Sequence, residues 1–147
     1  MVATLCITSW IDGHAAPAAG ASFEVVAPQD NRVACKIDET AETMIGEAVA
    51  SAHAAYRKHR HATRAQRAAW LHLLADTLEK HAATFAELIC EDVGKPLRVA
   101  RFEAGRGAAF ARACAAAALQ LGGEVVPVDA AAQGAGHFGF TKHVPYG

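Results

Sequence analysis

The chain has 147 residues, 14 Lys+Arg against 15 Asp+Glu, and a formal net charge of −1. That length suits one domain or a piece of one, and a hydrophobic fraction of 52% excludes wholesale disorder. Near-zero charge argues against a nucleic-acid or membrane-surface protein, and the longest apolar run, Ala113 to Leu119, is far too short to span a bilayer.

The N-terminus reads Met-Val-Ala-Thr-Leu-Cys-Ile-Thr. It has no basic n-region and no apolar h-region, so no secretory signal is expected. Residues 1–21 form an N-terminal segment with a short, partly apolar stretch, Ile7 to Ile11, and a loop rich in Gly, Ala and Pro. Ile11-Asp12-Gly13 reads as a turn, because Asp-Gly tolerates positive φ. Two strands are expected next, Ser22 to Val26 and Val33 to Ile37, separated by the turn-prone Pro28-Gln29-Asp30-Asn31.

A helix is expected from Thr40, as N-cap, with Glu42 in its first turn and an apolar face of Met44, Ile45, Ala48, Val49, Ala52, Ala55 and Tyr56. Thr63-Arg64-Ala65-Gln66 fits a capping box and opens a second helix, whose expected buried stripe is Trp70, Leu71, Leu74 and Leu78. A third helix carries Phe85, Leu88 and Ile89 and should stop before Gly94. Pro96 suits an early position of a fourth helix running to about Leu121. Gly105 and Gly107 within it suggest close packing against a neighbour. Its alanine-rich face, around Ala108 to Ala118, is expected to lack a partner. After Gly122-Gly123 the period changes to two, predicting strands at Glu124 to Asp129 and His137 to Val144. The second would place Phe138, Phe140 and Val144 on one face and His137, Thr141 and His143 on the other. Pro127 and Pro145 mark both as edge strands.

Chemical motifs are sparse. Gly134-Ala135-Gly136-His137-Phe138-Gly139 matches G-x-G-x-x-G, but a dinucleotide fingerprint must follow a strand and open a helix, and this one opens a strand. His59 and His61 lack a third ligand at an interpretable spacing. The basic run Arg57, Lys58, Arg60, Arg64, Arg67 lacks interleaved aromatics and reads as a solvated face. The four cysteines, Cys6, Cys35, Cys90 and Cys114, contain no C-x-x-C pair and read as reduced thiols in a cytoplasmic setting. No cysteine or serine has a recognisable nucleophile context.

Several segments, taken in order, resemble the N-terminal region of the NAD(P)-dependent aldehyde dehydrogenase superfamily. Asp92 and Gly94-Lys95-Pro96-Leu97-Arg98-Val99-Ala100-Arg101-Phe102-Glu103 resemble the family's (D/E)-x-G-K-P-L-x-x-A-x-x-E. Phe23-Glu24-Val25-Val26-Ala27-Pro28-Gln29-Asp30 resembles F-x-V-x-N-P-x-x-G. Ile11-Asp12-Gly13 is similar to I-N-G, Gly123-Glu124-Val125-Val126-Pro127 to G-E-x-x-P, and the closing Pro145-Tyr146-Gly147 to the end of R-x-P-x-G. Departures are Ala27 for Asn, Asn31 for Gly, His143 for Arg, and Arg57 to Arg60 without the usual Trp. The resemblance runs from about Ile7 to Gly147.

The fold it implies is α/β and aldehyde-dehydrogenase-like, with this chain as a mostly helical N-terminal part carrying short strands and a C-terminal β-hairpin. Residues 22–122 would supply the N-terminal strands and helices of the cofactor-binding domain. Residues 123–147 would be the hairpin of the oligomerisation arm, making a homo-oligomer. The implied reaction oxidises an aldehyde to a carboxylic acid with NAD or NADP through a cysteine thiohemiacetal. The family's nucleophile, base and oxyanion asparagine all lie downstream, and the only asparagine here, Asn31, sits in a turn. The isolated chain is therefore expected to be inactive, with no catalytic or cofactor-binding residue of its own. The resemblance also implies a monovalent cation, Na+ or K+, held by Asp92 and the carbonyls of Val25 and Val26. A carboxylate in the last turn of a helix faces the negative end of the dipole, a cost of about 0.3–1 kcal/mol that a bound cation would reverse. The plainer expectation is that Asp92 is solvated, or paired with Lys95 or Arg98. Two other readings stay open: a non-catalytic helical binding or scaffold module, and a partner subunit that assembles with full-length homologues.

Overall fold

The computed structural model describes residues 5–18 and 20–147. Residues 1–4, part of the N-terminus that carries no expected signal, and Ala19 of the loop lie outside the described residues. The elements are β1 (Leu5–Ile7), β2 (Trp10–Ile11), β3 (His14–Ala15), β4 (Ser22–Val26), β5 (Val33–Asp38), α1 (Glu42–His59), α2 (Arg64–Lys80), α3 (Ala82–Val93), α4 (Leu97–Gln120), β6 (Val125–Val126) and β7 (Gly139–Phe140). Short 3-10 turns at Val128–Ala130 and Ala132–Gly134 lie between the last two.

Local signals set the turns. Asp12 and Gly13 both take positive φ, 53° and 77°, and join β2 to β3 as an antiparallel pair. β4 pairs antiparallel with β5, and β1 pairs parallel with the other edge of β5. The capping box of α2 is complete: Gln66 N–H donates to Thr63 Oγ1 at 3.2 Å, and Thr63 N–H donates to Gln66 Oε1 at 2.8 Å. α3 stops at Gly94, where φ is +68°.

The start of α1 differs from expectation. Its N-cap is Ala41, with no side-chain cap, because the Thr40 hydroxyl is hydrogen-bonded to Ser9 Oγ instead. Pro96 likewise sits one residue outside α4, where its carbonyl accepts from the N–H groups of Val99 and Ala100 at 2.8 and 3.1 Å.

The larger difference is in what is buried. Among the described residues, those fully covered are all alanines, including Ala68 and Ala75 on α2, Ala86 on α3, and Ala100, Ala108, Ala111 and Ala115 on α4. α4 lies along α2 and also against α3. Alanine at the contact lets the helix backbones approach closely, so the alanine face of α4 has its partner after all. The expected stripe of α2 holds in part: Leu71 and Leu78 are half-buried, Leu78 against the alanine cluster, whereas Trp70 and Leu74 remain 44% and 48% exposed. On α1, Ile45 and Val49 are exposed and no residue is buried. Neither glycine of α4 is required by close packing: a Cβ on Gly107 would make an ordinary 3.6 Å contact with Leu78 Cδ1, and Gly105 faces open space.

The C-terminal strands are much shorter than the alternation predicts. Only Val125 pairs with Phe140 and Val126 with Gly139. Pro127 has no N–H for the ladder, and the chain turns at once into the 3-10 turn at Val128. The G-x-G-x-x-G stretch runs from the second 3-10 turn into β7 and not into a helix. Gly134 is needed for packing, because a Cβ there would overlap the Val128 carbonyl.

Candidate functional site

The nominated residues lie where the β4–β5 turn meets the end of α3. Pro28 to Asn31 close the turn: Asn31 takes φ of 57°, its N–H donates to the Ala27 carbonyl at 2.9 Å, and Ala27 N–H donates to the Arg32 carbonyl at 2.8 Å. Ala27 is fully buried beneath it. Gln29 Nε2 donates to the Cys90 carbonyl at 3.5 Å, and Pro28 Cγ lies 3.1 Å from where a Cβ would stand on Gly94. Gly94 thus serves both the helix stop and the close approach of the turn.

Charge complements this contact. Arg32 Nε meets Asp30 Oδ2 at 3.0 Å, and its guanidinium forms an ion pair with Glu91 in the last turn of α3. The hydrogen bond to Glu91 is the main cause that holds Arg32 above its ordinary pKa range, against the opposing effect of desolvation. Arg32 therefore answers part of the unfavourable charge at the helix end. It lies 59 positions before Glu91 in the chain, and no local pattern links the two.

Asp92 itself is exposed, and among the described residues no side chain pairs with it. Lys95, expected as a partner, instead pairs with Glu103 at 2.5 Å. Val25 is half-buried and Val26 is exposed. The β4–β5 register shifts between them, so a bulge interrupts the ladder at these two residues. The turn's contacts with α3 run through Pro28, Gln29 and Arg32, not through Asp92.

The Cys6 thiol donates to Asp38 Oδ2 at 3.6 Å. Desolvation first, and then the neighbouring carboxylate, push its pKa up, the opposite of what an activated nucleophile needs. Cys35, Cys90 and Cys114 are half-buried. Among the described residues no three His, Cys, Asp or Glu side chains could share a metal ion. His59 meets Trp70 edge to face at 5.3 Å rather than joining His61. Among the described residues no helix is long and apolar enough to cross a membrane. An open groove of about 800 Å³ runs between α1 and α2, with Val49, Tyr56, Trp70 and Pro145 in its walls.

Comparison with known proteins gives a consistent picture. Residues 14–147 match the model of the aldehyde dehydrogenase family. The chain is 33% identical over 114 residues to a succinate-semialdehyde dehydrogenase [NADP(+)] of Mycobacterium leprae, covering 78% of this chain and 25% of that protein. It is 33% identical over 140 residues to a mitochondrial aldehyde dehydrogenase of Leishmania tarentolae, covering 93% of this chain and 27% of that protein. Among solved structures, PnpE in complex with nicotinamide adenine dinucleotide superposes with a TM-score of 0.77 at 31% identity, over 84% of this chain and 26% of that one. Aldehyde dehydrogenase 21 of Physcomitrella patens shares the fold, with a TM-score of 0.86 at 22% identity over 95% of this chain and 29% of that one. The chain spans about a quarter of the length of these relatives.

Proposed function

The chain belongs to the aldehyde dehydrogenase family, and from that premise we propose that it is the N-terminal part of an oxidoreductase that converts an aldehyde to a carboxylic acid with NAD or NADP. The observation that carries this reading is the family match over residues 14–147, combined with coverage of only a quarter of the relatives. The packing agrees with it. A core of alanines, with Val49, Phe102 and Phe110 left 65–72% exposed, suits one layer of a larger fold better than a self-sufficient domain.

In this reading residues 1–21 lead into the domain, and residues 22–122 are the outer strands and helices of the cofactor-binding domain. Residues 123–147 begin the arm through which the protein forms a homo-oligomer, in the cytoplasm. The residues of this chain do not fit NAD(P) themselves: the glycine-rich stretch at 134–139 opens no helix that could meet a pyrophosphate. They fit a monovalent cation better. Asp92 is a free hard oxygen donor at a helix C-terminus, and the bulge at Val25 and Val26 loosens the strand that would supply carbonyls.

The coding sequence after Gly147 tests the proposal directly. An in-frame continuation with a glycine-rich loop, a glutamate and a nucleophilic cysteine is the expected finding. A stop codon at that point would overturn it in favour of a non-catalytic scaffold or partner subunit.

A further inference from the structure

The charges of this nearly neutral chain are unevenly placed. Residues 48–75 contain no Asp or Glu, and neither do residues 130–147. The first stretch carries the basic run around the α1–α2 junction, and the second carries Lys142. The fold brings the two together. Arg60, His61, Arg64, Arg67, Lys142 and His143 line one recess of about 700 Å³, and among the described residues no carboxylate is in its walls.

The recess is partly preorganised. The Arg67 guanidinium is fixed by donation to the carbonyls of His59, Arg60 and Ala62, at 3.1–3.3 Å. Arg60 stands over the Tyr56 ring at 5.5 Å. His143 Nδ1 is hydrogen-bonded to the Gly122 carbonyl at 2.6 Å, which ties the tail to the end of α4. The electrostatics are unfavourable as they stand. Arg64 is the first residue of α2, Arg67 follows one turn later, and that first turn holds no acidic residue. Cations there face the positive end of the helix dipole, and a bound anion reverses the sign of that interaction. Four permanent cations around one recess call for a ligand with several negative charges, and guanidinium groups match phosphate oxygens in a forked geometry.

The geometry points to a binding site for a small, soluble, phosphate-type polyanion in the recess where Arg60, Arg64 and Arg67 meet Lys142. A recess of this size admits a free polyanion, whereas a membrane surface would need a protruding patch. The assignment rests on the cleft alone and stands or falls independently of the reaction proposed above.

The test is calorimetric titration of the chain with sodium pyrophosphate, beside sodium chloride at matched ionic strength. Saturable heat with pyrophosphate alone is expected. Arg64→Ala combined with Lys142→Ala removes two exposed side chains without touching the Arg67 cap, and should weaken binding by about tenfold or more. Arg57→Ala, just outside the recess, should leave it unchanged. Equal responses to pyrophosphate and chloride overturn the site, as does equal weakening by the double variant and by Arg57→Ala. Capture by phosphatidate vesicles without any response to pyrophosphate overturns it in favour of a lipid surface.

Discussion

Ala75 on α2 and Ala108 on α4 share one buried cluster with Ala111, and their side chains are 0% and 4% exposed. Neither residue is large enough to contribute much apolar area, so the contact works by letting the two helices come close. Ala75→Leu should therefore destabilise the chain by about 1–3 kcal/mol through overpacking, since leucine matches alanine closely in helix propensity. Urea unfolding followed by circular dichroism checks this, and an unshifted midpoint would show that the α2–α4 contact is loose.

The isolated chain should show no aldehyde-dependent reduction of NAD or NADP. Neither nucleotide is expected to bind better than inorganic pyrophosphate, because the glycine-rich stretch at 134–139 leads into β7 and opens no helix that could meet a dinucleotide's pyrophosphate. Calorimetry with the three ligands side by side decides the matter. Saturable micromolar binding of one dinucleotide, absent with pyrophosphate, would mean that a cofactor site lies within this part of the fold.

Self-association is expected at high concentration. Phe138, Phe140, Val125 and Val144 are all 68–76% exposed around the short β6–β7 pair, and both strands have an open edge. Phe138 and Phe140 lie 6.2 Å apart, ring to ring, and form one apolar patch. Phe138→Ser with Phe140→Ser should shift sedimentation toward the monomer. A wild-type chain that sediments as a single monomeric species at every concentration would remove the hairpin as an assembly element.

Asp92→Asn in the full-length enzyme should abolish any difference in melting temperature between KCl, NaCl and choline chloride at matched ionic strength. Wild type should be more stable in one of the alkali salts than in choline. If wild type responds alike to all three, Asp92, Val25 and Val26 hold no cation.

Short-range features were legible from the residues themselves. The Asp12-Gly13 turn, the Thr63–Gln66 box and the Gly94 stop each depend on partners within four positions, so the sequence contains both halves of the interaction. The ordered motifs also sufficed for the family, because they are spread over nearly the whole chain. The site was less legible. Val25, Val26 and Asp92 were nominated by resemblance, yet the contacts that join their segments come from Pro28, Gln29 and Arg32.

What the sequence determined by itself was therefore the run of helices, their punctuation and the family. Tertiary structure decided which face each helix buries, because periodicity marks an apolar stripe without naming what covers it. Close helix approach selected alanine over Trp70 and Leu74 on α2. It also decided that Ser9 takes the Thr40 hydroxyl from the start of α1, and that the chain turns at Pro127 where alternation predicted a strand. Arg32 reaching Glu91, and Lys142 joining the arginines of the α1–α2 junction, are pairings across tens of residues. Only the path of the folded backbone brings such charges within reach of each other.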